Sequence, residues 1–207
     1  MNTKILDEVN SYYSEKILKN GATPQGVDWN SAESQTLRFK QLTDVIQGTD
    51  AFSLLDFGCG YGSLYEYLLN QNFPDFNYTG FDISEEMIAE SRRLFASQPN
   101  TNWLTNLPDE HQSDYVIASG IFNVRLNNSN EAWLQYIIDT LQQMNRHARK
   151  GFSFNILTSY SDKEYMKDYL YYADPLFFFD YCKTHFSKYV ALKHDYPLYE
   201  FSIIVRK

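Results

Sequence analysis

Apolar positions at helical spacing open the chain: Ile5, Val9, Tyr12, Tyr13 and Ile17 predict one amphipathic helix that stops at Asn20-Gly21. A connector from Ala22 to Trp29, carrying Pro24 and Gly26, leads to a second helical pattern. Asn30 is its predicted N-cap, Glu33 the capping-box partner, and Leu42, Val45 and Ile46 its apolar face, with Gly48 as the stop. From there the pattern alternates between short apolar runs and helical stripes. It predicts strands over 52–57, 77–82, 101–104, 114–119 and 151–157, and helices over 63–70, 84–97 and 129–147. The last of these helices has Trp133, Ile137, Ile138, Leu141 and Met144 on one stripe. The chain closes with a helix near 175–186 and strands over 189–194 and 199–205, joined by a short turn containing Pro197, which reads as an antiparallel hairpin. Alternation of this kind predicts a parallel sheet covered on both faces, an α/β fold.

The most informative stretch is the end of the first strand, Leu54-Leu55-Asp56-Phe57-Gly58-Cys59-Gly60-Tyr61-Gly62, and the end of the second, Thr79-Gly80-Phe81-Asp82-Ile83-Ser84. An apolar strand runs into a turn with Gly at alternate positions, and a neighbouring strand ends in a lone acid. That arrangement lets backbone approach a nucleoside-bearing ligand while a carboxylate accepts from its ribose hydroxyls. Dinucleotide-binding turns want a third Gly where this chain has Ser63. The pattern Asp/Glu-x-Gly-x-Gly-x-Gly is met without a gap by Asp56, Gly58, Gly60 and Gly62. On these residues the chain resembles the class I S-adenosylmethionine-dependent methyltransferases.

The resemblance spans roughly residues 50–207 and implies a Rossmann-like seven-stranded sheet in the order 3-2-1-4-5-7-6. Its last strand is antiparallel, and helices lie on both faces. Residues 1–207 are then one methyltransferase domain, with an N-terminal helical lid over 1–48 and the core over 49–207. The implied cofactor is S-adenosylmethionine. Gly58, Cys59 and Gly60 would pass beneath its methionine part, Asp82 would accept from the ribose hydroxyls, and Ile83 and Met87 would pack on the adenine. Thr105 and Asn106, after the third strand, would lie near the adenine amino group. Ser119, Phe122 and Asn123 fall where the family places groups between cofactor and acceptor. Trp29 and Arg38 are expected at the lid, Arg38 pairing the methionine carboxylate.

Methyl transfer is an in-line displacement, so the main demand on the protein is alignment and exclusion of water. An ionised carboxylate acceptor needs no base, whereas an alcohol does. Of the four His, His194 is the candidate base or substrate-orienting residue, because it falls at the carboxyl end of the sixth strand. Tyr160, Tyr171 and Tyr172, after the fifth strand, are candidate walls of the acceptor pocket. They belong to an aromatic-rich segment in a chain of 17 Tyr and 15 Phe.

Composition narrows the acceptor. With 26 acidic against 18 basic side chains, the net charge of −8 opposes a phosphate backbone, and nucleic acid is not expected as a substrate. No apolar run is long enough to span a bilayer, the first residues do not read as a secretion signal, and a cytoplasmic location is expected. Cys59 and Cys182 provide no disulfide framework, and no metal-ligand spacing appears. The expected partner is a small-molecule acceptor, with no membrane and an open oligomeric state. The expected activity is O-methylation of a polar metabolite or of a sugar or cell-envelope precursor. The rival readings are a cofactor-binding partner or regulatory subunit without turnover, and a nicotinamide oxidoreductase.

Overall fold

The computed structural model describes residues 3–23 and 31–207. Seven strands form one sheet: β1 (Phe52–Phe57), β2 (Phe76–Phe81), β3 (Thr101–Leu104), β4 (Ser113–Ala118), β5 (Ala148–Leu157), β6 (Tyr189–Lys193) and β7 (Glu200–Arg206). Their order is β3-β2-β1-β4-β5-β7-β6. All pairings from β3 to β5 are parallel, and β7 runs antiparallel to both β5 and β6. The predicted order and hairpin are therefore present.

The central strands are apolar at consecutive positions because both faces are covered. Leu55, Phe57, Val116, Phe152 and Phe154 point to one core, Leu54, Tyr115, Ile117 and Ile204 to the other. The first core is closed by α5 (Asn130–His147), α6 (Pro175–His185) and the apolar side of α1 (Thr3–Asn20). The second is closed by α2 (Ala32–Leu42), α3 (Ser63–Leu69) and α4 (Glu85–Leu94). The link between β3 and β4, residues 105–112, holds no helix.

Local chemistry explains the helix starts. Ser129 caps α5 by accepting from Ala132 N, Ser84 caps α4 by accepting from Met87 N, and Arg146 and His147 sit in the last turn of α5, favourable to its dipole. The start of α2 differs from expectation. Ser31 is the N-cap, accepting from Ser34 N at 3.2 Å, so Glu33 falls in the first turn rather than at the capping-box position, and Asn30 lies outside the described residues. The helix also ends before Gly48: a 3-10 turn takes over at Thr43–Val45, where Thr43 Oγ1 donates back to Phe39 O at 2.7 Å.

Candidate functional site

Beyond Phe57 the backbone leaves β1 and is pinned to the end of β2, with Gly58 N and Cys59 N both donating to Phe81 O at 2.7 and 3.0 Å. Asp82 continues the clamp. One carboxylate oxygen accepts from Gly60 N and the other from Ser84 N, each at 2.9 Å. From α4, Ser91 Oγ donates to Gly60 O at 3.0 Å. Gly58 has φ +80°, and a Cβ there would stand 2.3 Å from Ile121 Cγ2. Only glycine satisfies both limits. Gly62, with φ +91°, faces the rings of Phe95 and Trp103 and serves the turn into α3 rather than the cavity.

A cavity of about 390 Å³ opens over this turn, within the usual range for small-ligand sites. Asp56, Gly58, Cys59, Gly60, Asp82, Ile83, Met87, Thr105, Asn106 and Ser119 all line it. Ser119 Oγ is buried with no hydrogen-bond partner among the described residues, a group left open to a ligand.

Electrostatics at the turn follow from burial. Asp56 accepts from Tyr78 Oη at 2.5 Å. Burial nonetheless pushes its carboxyl up to about 7, with the neighbouring Asp82 adding to the rise. Burial also raises the Asp82 carboxyl, against the lowering effect of the Ser84 and Gly60 N–H groups, and it lifts the Cys59 thiol further, aided by both carboxylates. Cys59 is thus an inert wall residue.

Two further walls are made of residues that the sequence did not single out, although a helical lid over 1–48 was expected. Leu6, Val9, Asn10 and Tyr13, one face of α1, line the cavity together with Gln35 and Phe39 of α2. The first helix is held there at both ends of that face. Ser14 Oγ donates to Glu86 Oε2 at 2.7 Å and lies 2.9 Å from Ser84 Oγ, while Asn128 Nδ2 donates to Glu8 Oε2 at 3.0 Å. Gln35 Nε2 donates to Ser63 Oγ at 3.0 Å, joining α2 to the start of α3. On the other side Tyr136, Thr140, Gln143 and His147 form a stripe along α5. His147 Nδ1 is 2.8 Å from the His111 carbonyl, which can only accept, so Nδ1 is the donor. The polar positions of that stripe were visible in the sequence, but nothing there separated them from a solvated helix face.

Several predicted residues go elsewhere. Arg38 does not line the cavity; its Nε is 2.6 Å from Glu200 Oε2 in a buried ion pair. Trp29 lies outside the described residues. His194 is exposed, packed near the rings of Tyr160 and Phe201, because β6 is the edge strand and β7 and β5 stand between it and β4. Past Gly120 the chain turns inward. Phe122 is fully buried in the core, its carbonyl accepting from Trp133 Nε1, and Asn123 Oδ1 accepts from Leu157 N. Tyr160 is exposed, Tyr171 packs half-buried on the core, and Tyr172 Oη accepts from Lys167 N. None of these five lines the cavity. Among the described residues no helix is long and apolar enough to cross a membrane.

Residues 55–151 match the family model described as a methyltransferase domain. The chain is 48% identical over 163 residues to a Mycobacterium tuberculosis (strain ATCC 25618 / H37Rv) protein named "Putative methyltransferase Rv1506c", a match covering 79% of this chain and 98% of that one. It is 26% identical over 121 residues to the malonyl-[acyl-carrier protein] O-methyltransferase of Paenibacillus sp. (strain JDR-2), covering 58% of this chain and 43% of that protein. In three dimensions it resembles the magnesium protoporphyrin IX methyltransferase of Synechocystis PCC 6803, crystallised with bound SAH. The TM-score is 0.67 at 14% identity, with all of both chains covered. At that identity the likeness concerns the fold.

Proposed function

Because the chain belongs to the class I S-adenosylmethionine-dependent methyltransferases, we propose that it methylates a small polar acceptor on oxygen, a metabolite or a sugar or cell-envelope precursor. The observation that carries the reading is the single cavity that gathers the glycine turn, the acid ending β2, the residues after β3 and the unpartnered Ser119 hydroxyl.

When bound, S-adenosylmethionine supplies an activated methyl group on a sulfonium. The protein's part is to hold and orient it. Asp82 accepts from Gly60 and Ser84, and a carboxylate has further acceptor capacity to offer a ribose hydroxyl. Ile83 and Met87 offer an apolar surface to a purine, and Thr105 and Asn106 offer polar groups at its edge. Gly58, Cys59 and Gly60 bring backbone close under the methionine part, and Ser119 adds a hydroxyl. The Asp82 carboxylate, which accepts from the Gly60 and Ser84 N–H groups, favours a cationic ligand. Leu6, Val9, Tyr13 and Phe39 exclude water from above.

Three facts support a small acceptor methylated on oxygen. The net charge of −8 works against polyanionic substrates. The relative from Paenibacillus is by name an O-methyltransferase. Chemistry by alignment alone suits an ionised oxygen nucleophile, which needs no base.

The test supplies the purified protein with methyl-labelled S-adenosylmethionine and separate panels of carboxylic acids, hydroxylated sugars and amines, and follows the label by mass spectrometry. Transfer to oxygen in one of the first two panels is expected. Transfer confined to amines overturns the acceptor assignment.

A further inference from the structure

A buried polar chain joins the loop after β4 to β5, β7 and α2 and reaches the cavity from outside it. Gly120 N, in the cavity wall after β4, donates to Asn155 Oδ1 of β5 at 2.8 Å. Asn155 Nδ2 donates to Glu200 Oε2 of β7 at 3.1 Å. The same Glu200 oxygen accepts from Arg38 Nε of α2 at 2.6 Å. Arg38, Asn155 and Glu200 are all buried, and α2 itself lines the cavity through Gln35 and Phe39. A buried ion pair is a poor way to add stability, since apolar groups of similar volume serve as well or better; its best-attested use is to fix register between elements.

We propose that Asn155 is a positioning residue for methyl transfer, fixing the wall Ser119–Ile121 through Gly120 and tying it through Glu200 and Arg38 to α2. The Asn155 carboxamide supplies both an acceptor for the Gly120 N–H and a donor for the Glu200 carboxylate, from opposite sides of one planar group. Ser119 and Ile121 flank the fixed amide, and Ile121 is the neighbour of Gly58. A shift of Gly120 therefore alters the floor on which the cofactor rests. The inference depends on the cavity being the cofactor site and is independent of the acceptor.

The test compares Asn155→Ala with Ser153→Ala in the full chain. Ser153, two residues earlier in β5, is also buried and also bonds the lid region, Oγ to Leu42 O at 2.8 Å, but does not touch Gly120. Calorimetry reads S-adenosylmethionine affinity, and amide hydrogen exchange on the cofactor-free protein reads Gly120 and α2. Asn155→Ala is expected to weaken affinity about tenfold and to speed exchange at both places. Ser153→Ala is expected to speed exchange in α2 alone and to keep affinity within about twofold. Should Asn155→Ala not fold, Glu200→Gln, which keeps the shape and removes the charge, is read in the same two ways and is expected to move both. Affinity unchanged in the Asn155 variant (or in Glu200→Gln where it stands in), or an equal loss in Ser153→Ala, overturns the proposal. A wild-type protein that binds no S-adenosylmethionine overturns the cofactor reading instead, and the exchange data then decide the coupling alone.

Discussion

One oxygen of Asp82 accepts the backbone N–H of Gly60 at 2.9 Å, so the acid that ends β2 and the turn that ends β1 form one rigid unit. The carboxylate shapes the turn before any ligand arrives. Asp82→Ala should therefore lose more than ligand contacts. S-adenosylmethionine affinity should fall about 100-fold, the size expected for losing charge-assisted hydrogen bonds. Amide exchange at Gly60 should rise in the cofactor-free protein. Asp82→Asn, which can still accept from Gly60, should keep Gly60 protected while binding weakly, and calorimetry beside exchange separates the two effects.

Replacing Gly58 by Ala places a methyl group 2.3 Å from Ile121 Cγ2 at φ +80°. The expected cost is about 1–3 kcal/mol in urea unfolding. In the double variant Gly58→Ala, Ile121→Ala the clash is gone and the backbone strain stays. The two changes should then cost less together than the sum of their separate costs; strict additivity would mean that the contact does not matter.

The Asp56 carboxyl is raised by burial from 3.8 to about 7. A group raised in the folded state contributes stability that is complete below its unfolded value and lost as pH rises through the folded one. Relative to Asp56→Asn, the wild type should thus lose stability between about pH 4 and pH 7, approaching 1.4 kcal/mol per pH unit. Denaturation at several pH values checks this, and parallel curves for the two proteins would refute it.

Ser14 and Glu86 fasten α1 beside α4 through one exposed hydrogen bond of 2.7 Å. Ser14→Ala should loosen α1 by about 0.5–1 kcal/mol, seen as faster exchange at Asn10 and Tyr13 and faster cofactor dissociation. The sheet should keep its protection.

His194→Gln and Tyr160→Phe should both leave cofactor affinity within about twofold of wild type. Neither side chain lines the cavity, and exposed positions of this kind usually tolerate substitution.

Much of this was legible in the sequence for physical reasons. Strands such as 52–57, buried on both faces, are mostly apolar with Ser53 and Asp56 as the exceptions, and the two strands of the hairpin after Pro175–His185 are parted by a turn containing Pro197. The glycine turn could be read because its backbone conformation admits few other residues. Arg38 and His194 were harder, since a charge on a helix or at a strand end looks the same whether it faces a ligand, a partner such as Glu200, or water. The stripe Tyr136, Thr140, Gln143 and His147 was hidden for a related reason. Those polar residues flank the core side of α5, and only the helix-free link at 105–112 leaves space in front of them.

The cavity joins an early part of the order of synthesis to a much later one. Its α1 wall, Leu6 to Tyr13, leaves the ribosome before its α5 wall, Tyr136 to His147, which emerges well over a hundred residues later. Contacts so distant along the chain are costly to close and form late. A nascent chain therefore carries the apolar face of α1 uncovered until the first four strands and α5 have emerged, and the ability to hold a cofactor arrives only with them.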